Sequence, residues 1–128
     1  MPRPYLTPAG AKASTEMFGD GGPEQMEENA KRWETRVDES WSAIITRYVV
    51  NGMYSRNVIP TSARELCAVA ALTVLGRSRE LEHHIRIALK TNPPEHVREV
   101  ILQMSVYGGV PAALEGMSIF EAITEHER

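Results

Sequence analysis

The chain has 128 residues, of which 42% are hydrophobic, with a single cysteine and a formal net charge of −3. That length suits one compact domain, and one cysteine, Cys67, excludes an internal disulfide and a cysteine-based metal cluster. Charges of both signs are mixed along the chain, so nucleic acid is not an expected partner. No apolar run reaches the roughly 18 residues that a membrane helix needs, so no membrane partner is expected. The opening MPRPYLTPAGAKAS lacks the apolar core of a secretion signal, and a cytoplasmic protein is expected.

Residues 1–23 hold Pro2, Pro4, Pro8 and Pro23 and four of the nine glycines. This predicts an extended or poorly ordered arm, with GDGG at 19–22 as a linker. A single all-helical domain is expected over 24–128. Its first helix starts near Glu24, carries the apolar stripe Trp33, Val37, Trp41, Ile44 and Tyr48, and ends at Gly52. Pro60 disfavours helix at Ile59. TSARELCAVAALTVLG follows, with Ser62 as N-cap and Glu65 at capping-box spacing. Its inner face is Leu66, Val69, Ala70, Thr73 and Val74. The other faces are apolar too, as in a helix buried on several sides, and Cys67 among them is expected to pack. Gly76 fits a left-handed C-cap.

A helix from about Ser78 to Lys90 comes next, with Leu81, Ile85, Ala88 and Leu89 as its buried face. His83 and His84 stand side by side on it. Successive helical residues point about 100° apart. His84 therefore borders the apolar stripe, while His83 points toward water. Asn92, Pro93 and Glu95 suit the start of another helix, with Val97, Val100, Ile101 and Met104 inward. YGGVP breaks it. Pro111 begins the last helix, with Leu114, Met117 and Phe120 or Glu121 on one side. No segment alternates with period two for long, so an all-α protein is predicted. No His, Asp and Glu set has ligand spacing, so no metal is expected.

From Tyr54 onward the chain resembles the carboxymuconolactone decarboxylase family. The resemblance rests on TSARELCAVAALTVLGRSRELEHHIRIAL followed by PPEHVREVILQMSVYGGVPAALEGM. It implies a helical bundle of the carboxymuconolactone decarboxylase and alkylhydroperoxidase-like type, assembled as a homo-oligomer such as a hexamer or trimer. The peroxidase-like branch carries a Cys-x-x-Cys pair ending four residues before a histidine. If that histidine is His84, the thiol positions are Arg77 and Glu80, and both thiols are absent. Cys67 alone cannot cycle through an intramolecular disulfide. The resemblance therefore points to the decarboxylase branch.

That branch's reference reaction removes CO2 from a small anionic unsaturated lactone and leaves an enol-lactone. No cofactor is expected, because the ring double bond and lactone carbonyl accept the electrons. The protein must hold carboxylates, stabilise the enolate oxygen and deliver a proton to carbon. His84 is the candidate proton donor or enolate stabiliser; the competing role is a histidine tying two helices together. Glu65, at the position of a family acid, is the candidate that orients His84; the competing role is the capping box. Arg77 and Arg56 are the preferred carboxylate clamps. Arg77 lies on the helical face of His84, and Arg56 lies in YSR, which is similar to a family WSR. Arg64 and Arg86 are further candidates. Tyr107 could donate to the enolate oxygen, or simply pack at a helix end. The rival functions are another carbon-acid reaction (lactone hydrolysis, isomerisation or dehydration) and a non-catalytic ligand-binding assembly.

Overall fold

The computed structural model describes residues 5–126, and among these every regular element is helical. The described residues fall into two compact units divided between Thr61 and Ser62.

In the first unit, α1 spans Pro8–Phe18 and α2 spans Gly22–Arg36. The stretch expected to be an extended arm is thus helical from Pro8; residues 1–4 lie outside the described residues. Pro8, Pro23 and the glycines of GDGG belong to helix ends. Pro8 and Pro23 each occupy a first helical turn, where the missing N–H costs nothing. Thr7 caps α1, its Oγ1 accepting from the Gly10 N–H at 3.0 Å. The segment before it is fastened by side chains from further along the chain. Asn51 donates to the Tyr5 carbonyl at 2.7 Å and accepts from the Thr7 N–H at 3.1 Å. Glu27 accepts from the Leu6 N–H at 3.1 Å.

The single helix expected from Glu24 to Gly52 is two. The chain breaks at Val37 and Asp38, and α3 (Glu39–Thr46) starts anew. Asp38 is extended and accepts from the Ser40 hydroxyl at 2.7 Å and the Trp41 N–H at 2.9 Å. The Ser40 bond, then the Trp41 bond, hold its carboxyl below the usual aspartate range. The helix runs on past Thr46 as a π-helical turn, Arg47–Tyr54. Gly52 lies inside that turn instead of ending the helix: a Cβ there would come within 2.8 Å of the Arg47 carbonyl oxygen.

The expected inward stripe also faces out. Val37, Trp41, Ile44 and Tyr48 are exposed, whereas Ser42, Thr46 and Val50 are buried. Small residues on that inner face let α3 approach α2 closely, and the Ser42 hydroxyl donates to the Ala30 carbonyl at 2.6 Å. Trp33 and Trp41 still meet edge to face, with ring centroids 6.0 Å apart.

In the second unit, α4 (Thr61–Leu75), α5 (Ser78–Thr91), α6 (Pro94–Gly108) and α7 (Val110–His126) surround one core. Val69, Leu81, Ile85, Ala88, Val97, Ile101, Phe120 and Ile123 form it. The predicted faces of α5 and α6 hold. On α7 the buried residues are Ala113, Gly116, Phe120 and Ile123, while Leu114 is exposed. On α4, Val74 is exposed, and so is Cys67, which the composition had suggested would pack. Helix α4 starts one residue before Ser62, so Ser62 does not cap it.

The α4–α5 reversal is a complete Schellman motif. Gly76 has φ +69, its N–H donates to the Thr73 carbonyl, and the Arg77 N–H donates to the Leu72 carbonyl. Asn92 closes the far end. Its side chain donates to the carbonyls of Ser62 at 3.1 Å and Ala88 at 3.2 Å, joining the start of α4 to the end of α5. Asn92 therefore finishes α5 and does not cap α6, whose N-cap is Pro93.

Gly116 is where α7 lies tightest against its neighbours. A Cβ there would meet Ile101 Cγ2 at 2.8 Å and Thr73 Cγ2 at 3.3 Å. Gly116→Ala gains about 1 kcal/mol of helix propensity, but overpacking costs about 1–3 kcal/mol. Ile101 and Thr73 are buried and have little room to yield, so the variant is expected to be less stable. A urea midpoint at or above the parent's would show that α7 can shift to make room.

Candidate functional site

Two residues nineteen apart in sequence meet in the second unit. Glu65 sits just after the first turn of α4, and His84 sits in the middle of α5. His84 Nδ1 lies 2.8 Å from Glu65 Oε2. The Gly76 reversal and the Asn92 tie set this register: running antiparallel, α4 and α5 bring residue 62 against 92 and residue 65 against 84. The Glu65 carboxylate therefore turns to the next helix and does not cap its own.

Glu65 is fully buried, while the His84 side chain is 23% exposed. The contact is made through Nδ1, so the Nε2 edge of the ring is directed away from Glu65. The other oxygen, Oε1, is buried with no hydrogen-bond partner among the described residues. Burying a carboxylate with one oxygen unsatisfied is unfavourable.

His83 is exposed and His84 half-buried, as the helical projection expects, but the two rings are not separate. The His83 ring contacts that of His84, with centroids 5.2 Å apart and planes at 79°. Neighbouring Cα atoms are close, and side-chain torsions can swing two rings together although their Cβ atoms diverge. Partial desolvation of the His83 ring, then the neighbouring His84, push its pKa below the usual histidine value, against the opposing pull of Glu65 and Glu80. The adjacent pair HH is the only sequence signal of this contact, and spacing rules for helix faces discard it.

The cations are distributed differently. Arg77 is the N-cap residue of α5, exposed, seven residues before His84. Two turns, roughly 10 Å along the axis, return it to nearly the same azimuth. Helical side chains lean toward the N-terminus, so His84 leans toward the Arg77 end. Arg86 is engaged on the outer face with Glu82 at 3.4 Å. Arg64 is half-buried beside Glu65 on α4. Arg56 belongs to the first unit, where it lines a cavity of about 170 Å³ with Lys12, Glu16, Tyr54, Asn57 and Thr61. Tyr107 is 71% exposed at the end of α6, near the likewise exposed Val106 and Val110 in sequence. It is not a packed aromatic, and no hydrogen bond joins it to His84 or Glu65. Among the described residues no group of three or more His, Cys, Asp or Glu side chains could hold a metal, and no helix is long and apolar enough to cross a membrane.

Residues 41–122 match the Carboxymuconolactone decarboxylase family, and the chain belongs to that family. The match takes in α3 to α7 up to residue 122, and so includes Glu65, Arg77, His83 and His84. Over 115 residues the chain is 28% identical to the 4-carboxymuconolactone decarboxylase of Acinetobacter baylyi (strain ATCC 33305 / BD413 / ADP1), covering 89% of this chain and 83% of that one.

Cys67 is exposed, two residues beyond Glu65, and is the chain's single thiol. Cys67→Ala is expected to leave both turnover and stability within about twofold of the parent, as for an ordinary surface substitution. A large loss of rate in a folded Cys67→Ala protein would restore a thiol mechanism.

Proposed function

We propose that the protein is a cofactor-free decarboxylase acting on a small anionic unsaturated lactone, with 4-carboxymuconolactone as the first substrate to test. The observation that carries this reading is the 2.8 Å contact between His84 and the buried Glu65. Membership in the family and the name of the Acinetobacter relative support it.

The chemistry fits the residues. When the C–CO2 bond breaks, its electron pair moves through the ring double bond to the lactone carbonyl. The substrate is its own electron sink, so no external one is required. The pair then returns to carbon, which takes up one proton. His84 delivers that proton from Nε2, while Glu65 holds Nδ1 and fixes the ring's orientation. Arg77, on the same side of α5, is the proposed partner of a substrate carboxylate, because its fork binds carboxylate through two parallel bonds. We also propose that the protein works as a homo-oligomer: Leu75, Val106, Val110 and Leu114 are all at least 60% exposed, more large apolar surface than a helical unit of this size gains from leaving uncovered.

The test is CO2 release from 4-carboxymuconolactone by the parent and by His84→Gln, which keeps volume and some hydrogen bonding but cannot donate a titrating proton. Loss of the acid should lower the rate roughly 10²–10⁴-fold, with helicity and assembly size unchanged. Parental turnover by folded His84→Gln across pH 5 to 9 would make His84 a structural residue.

A further inference from the structure

Decarboxylation of such a lactone needs two groups at the reacting ring. One returns a proton to carbon. The other stabilises the carbonyl oxygen while it holds the negative charge. His84 accounts for the first. Tyr107, the sequence candidate for the second, is exposed at the end of α6 with no link to the Glu65–His84 pair.

We propose that His83 is the second catalytic residue, its imidazole N–H donating a hydrogen bond to the lactone carbonyl oxygen as that oxygen becomes an enolate. This rests on the decarboxylase reading above. The supporting geometry is the ring contact itself. Two imidazoles with centroids 5.2 Å apart and planes at 79° lie within the width of one small ligand. A five-membered lactone carries its carbonyl oxygen and its protonated carbon on the same small ring, and such a ring can meet both. His83 is exposed and the His84 side chain is 23% exposed, so a ligand can reach the two rings from solvent.

The two rings differ in the way the two tasks require. His84 has a carboxylate on Nδ1, which suits a ring that carries positive charge before it gives up a proton. The crowding around His83 and the nearness of His84 disfavour a charge there, outweighing Glu65 and Glu80. A neutral imidazole polarises a carbonyl without surrendering its proton to the enolate oxygen. No bond to His83 forms or breaks. The electron pair passes from the C–CO2 bond to the carbonyl oxygen and back to carbon, and the one proton consumed comes from His84.

The competing role for His83 is packing against His84. His83→Ala and His83→Gln separate the two, assayed with 4-carboxymuconolactone after circular dichroism and sizing confirm the fold. Removing one donor to a developing oxyanion is expected to lower kcat by roughly 10²-fold, with KM within about threefold because the charge develops only in the transition state. His83→Gln keeps an N–H donor and should recover roughly tenfold of that loss. Parental kcat in His83→Ala overturns the proposal. So does equal impairment of the Ala and Gln variants, which would mark a ring that only positions His84. If the parent itself releases no CO2, the decarboxylase reading falls and the role of His83 falls with it. If the parent turns over and both variants match it, only the role of His83 falls.

Discussion

The second unit depends on a carboxylate placed where carboxylates are costly. Glu65 is fully buried, has one oxygen on His84, and has the other without a hydrogen-bond partner among the described residues. The surrounding structure is arranged to hold this pair. The Gly76 reversal sets the antiparallel course of α4 and α5, Asn92 fixes their far ends, and Gly116 lets α7 close against Thr73 and Ile101. A half-turn slip of α5 would carry His84 away from Glu65 and would also take Leu81, Ile85 and Ala88 out of the core. The core and the site therefore require the same register.

Much of this was legible in the sequence because helix period and cap chemistry agree there. Leu81, Ile85 and Ala88 repeat at helical spacing and are buried, and the C-cap at Gly76 was readable from a glycine following an apolar run. The separation of Glu65 and His84 matched the family pattern, and the two residues are in contact. Their chemistry was harder to read, because the Ser62/Glu65 spacing also fits a capping box. Only the helix start at Thr61 and the approach of α5 decide between the two.

The misread parts share a cause: tertiary contacts outrank local pattern. In the first unit, the apolar stripe from Val37 to Tyr48 faces out, and a small polar face of Ser42 and Thr46 packs in. Amphipathicity marks the inner face only when bulk is what the core needs, and here close approach is needed instead. Residues 5–7 look like a loose arm, but Asn51 and Glu27, more than twenty positions away, hold their backbone. Local composition carries no trace of such distant partners. The contact between His83 and His84 was missed for a related reason. A helical wheel assigns directions to Cβ atoms, whereas rings reach each other through their torsions.

The central claim is that Glu65 is present for His84 and not for the fold. Measuring turnover of 4-carboxymuconolactone and the thermal midpoint together on Glu65→Gln tests it most directly. Neutralising a buried carboxylate with an unsatisfied oxygen should hold or raise the midpoint. The same change weakens the grip on Nδ1 and should lower kcat by roughly tenfold or more, as loss of an orienting carboxylate does in other acid–base pairs. A midpoint that falls while the rate per folded molecule stays at the parental value would contradict the account, and would make Glu65 a structural residue.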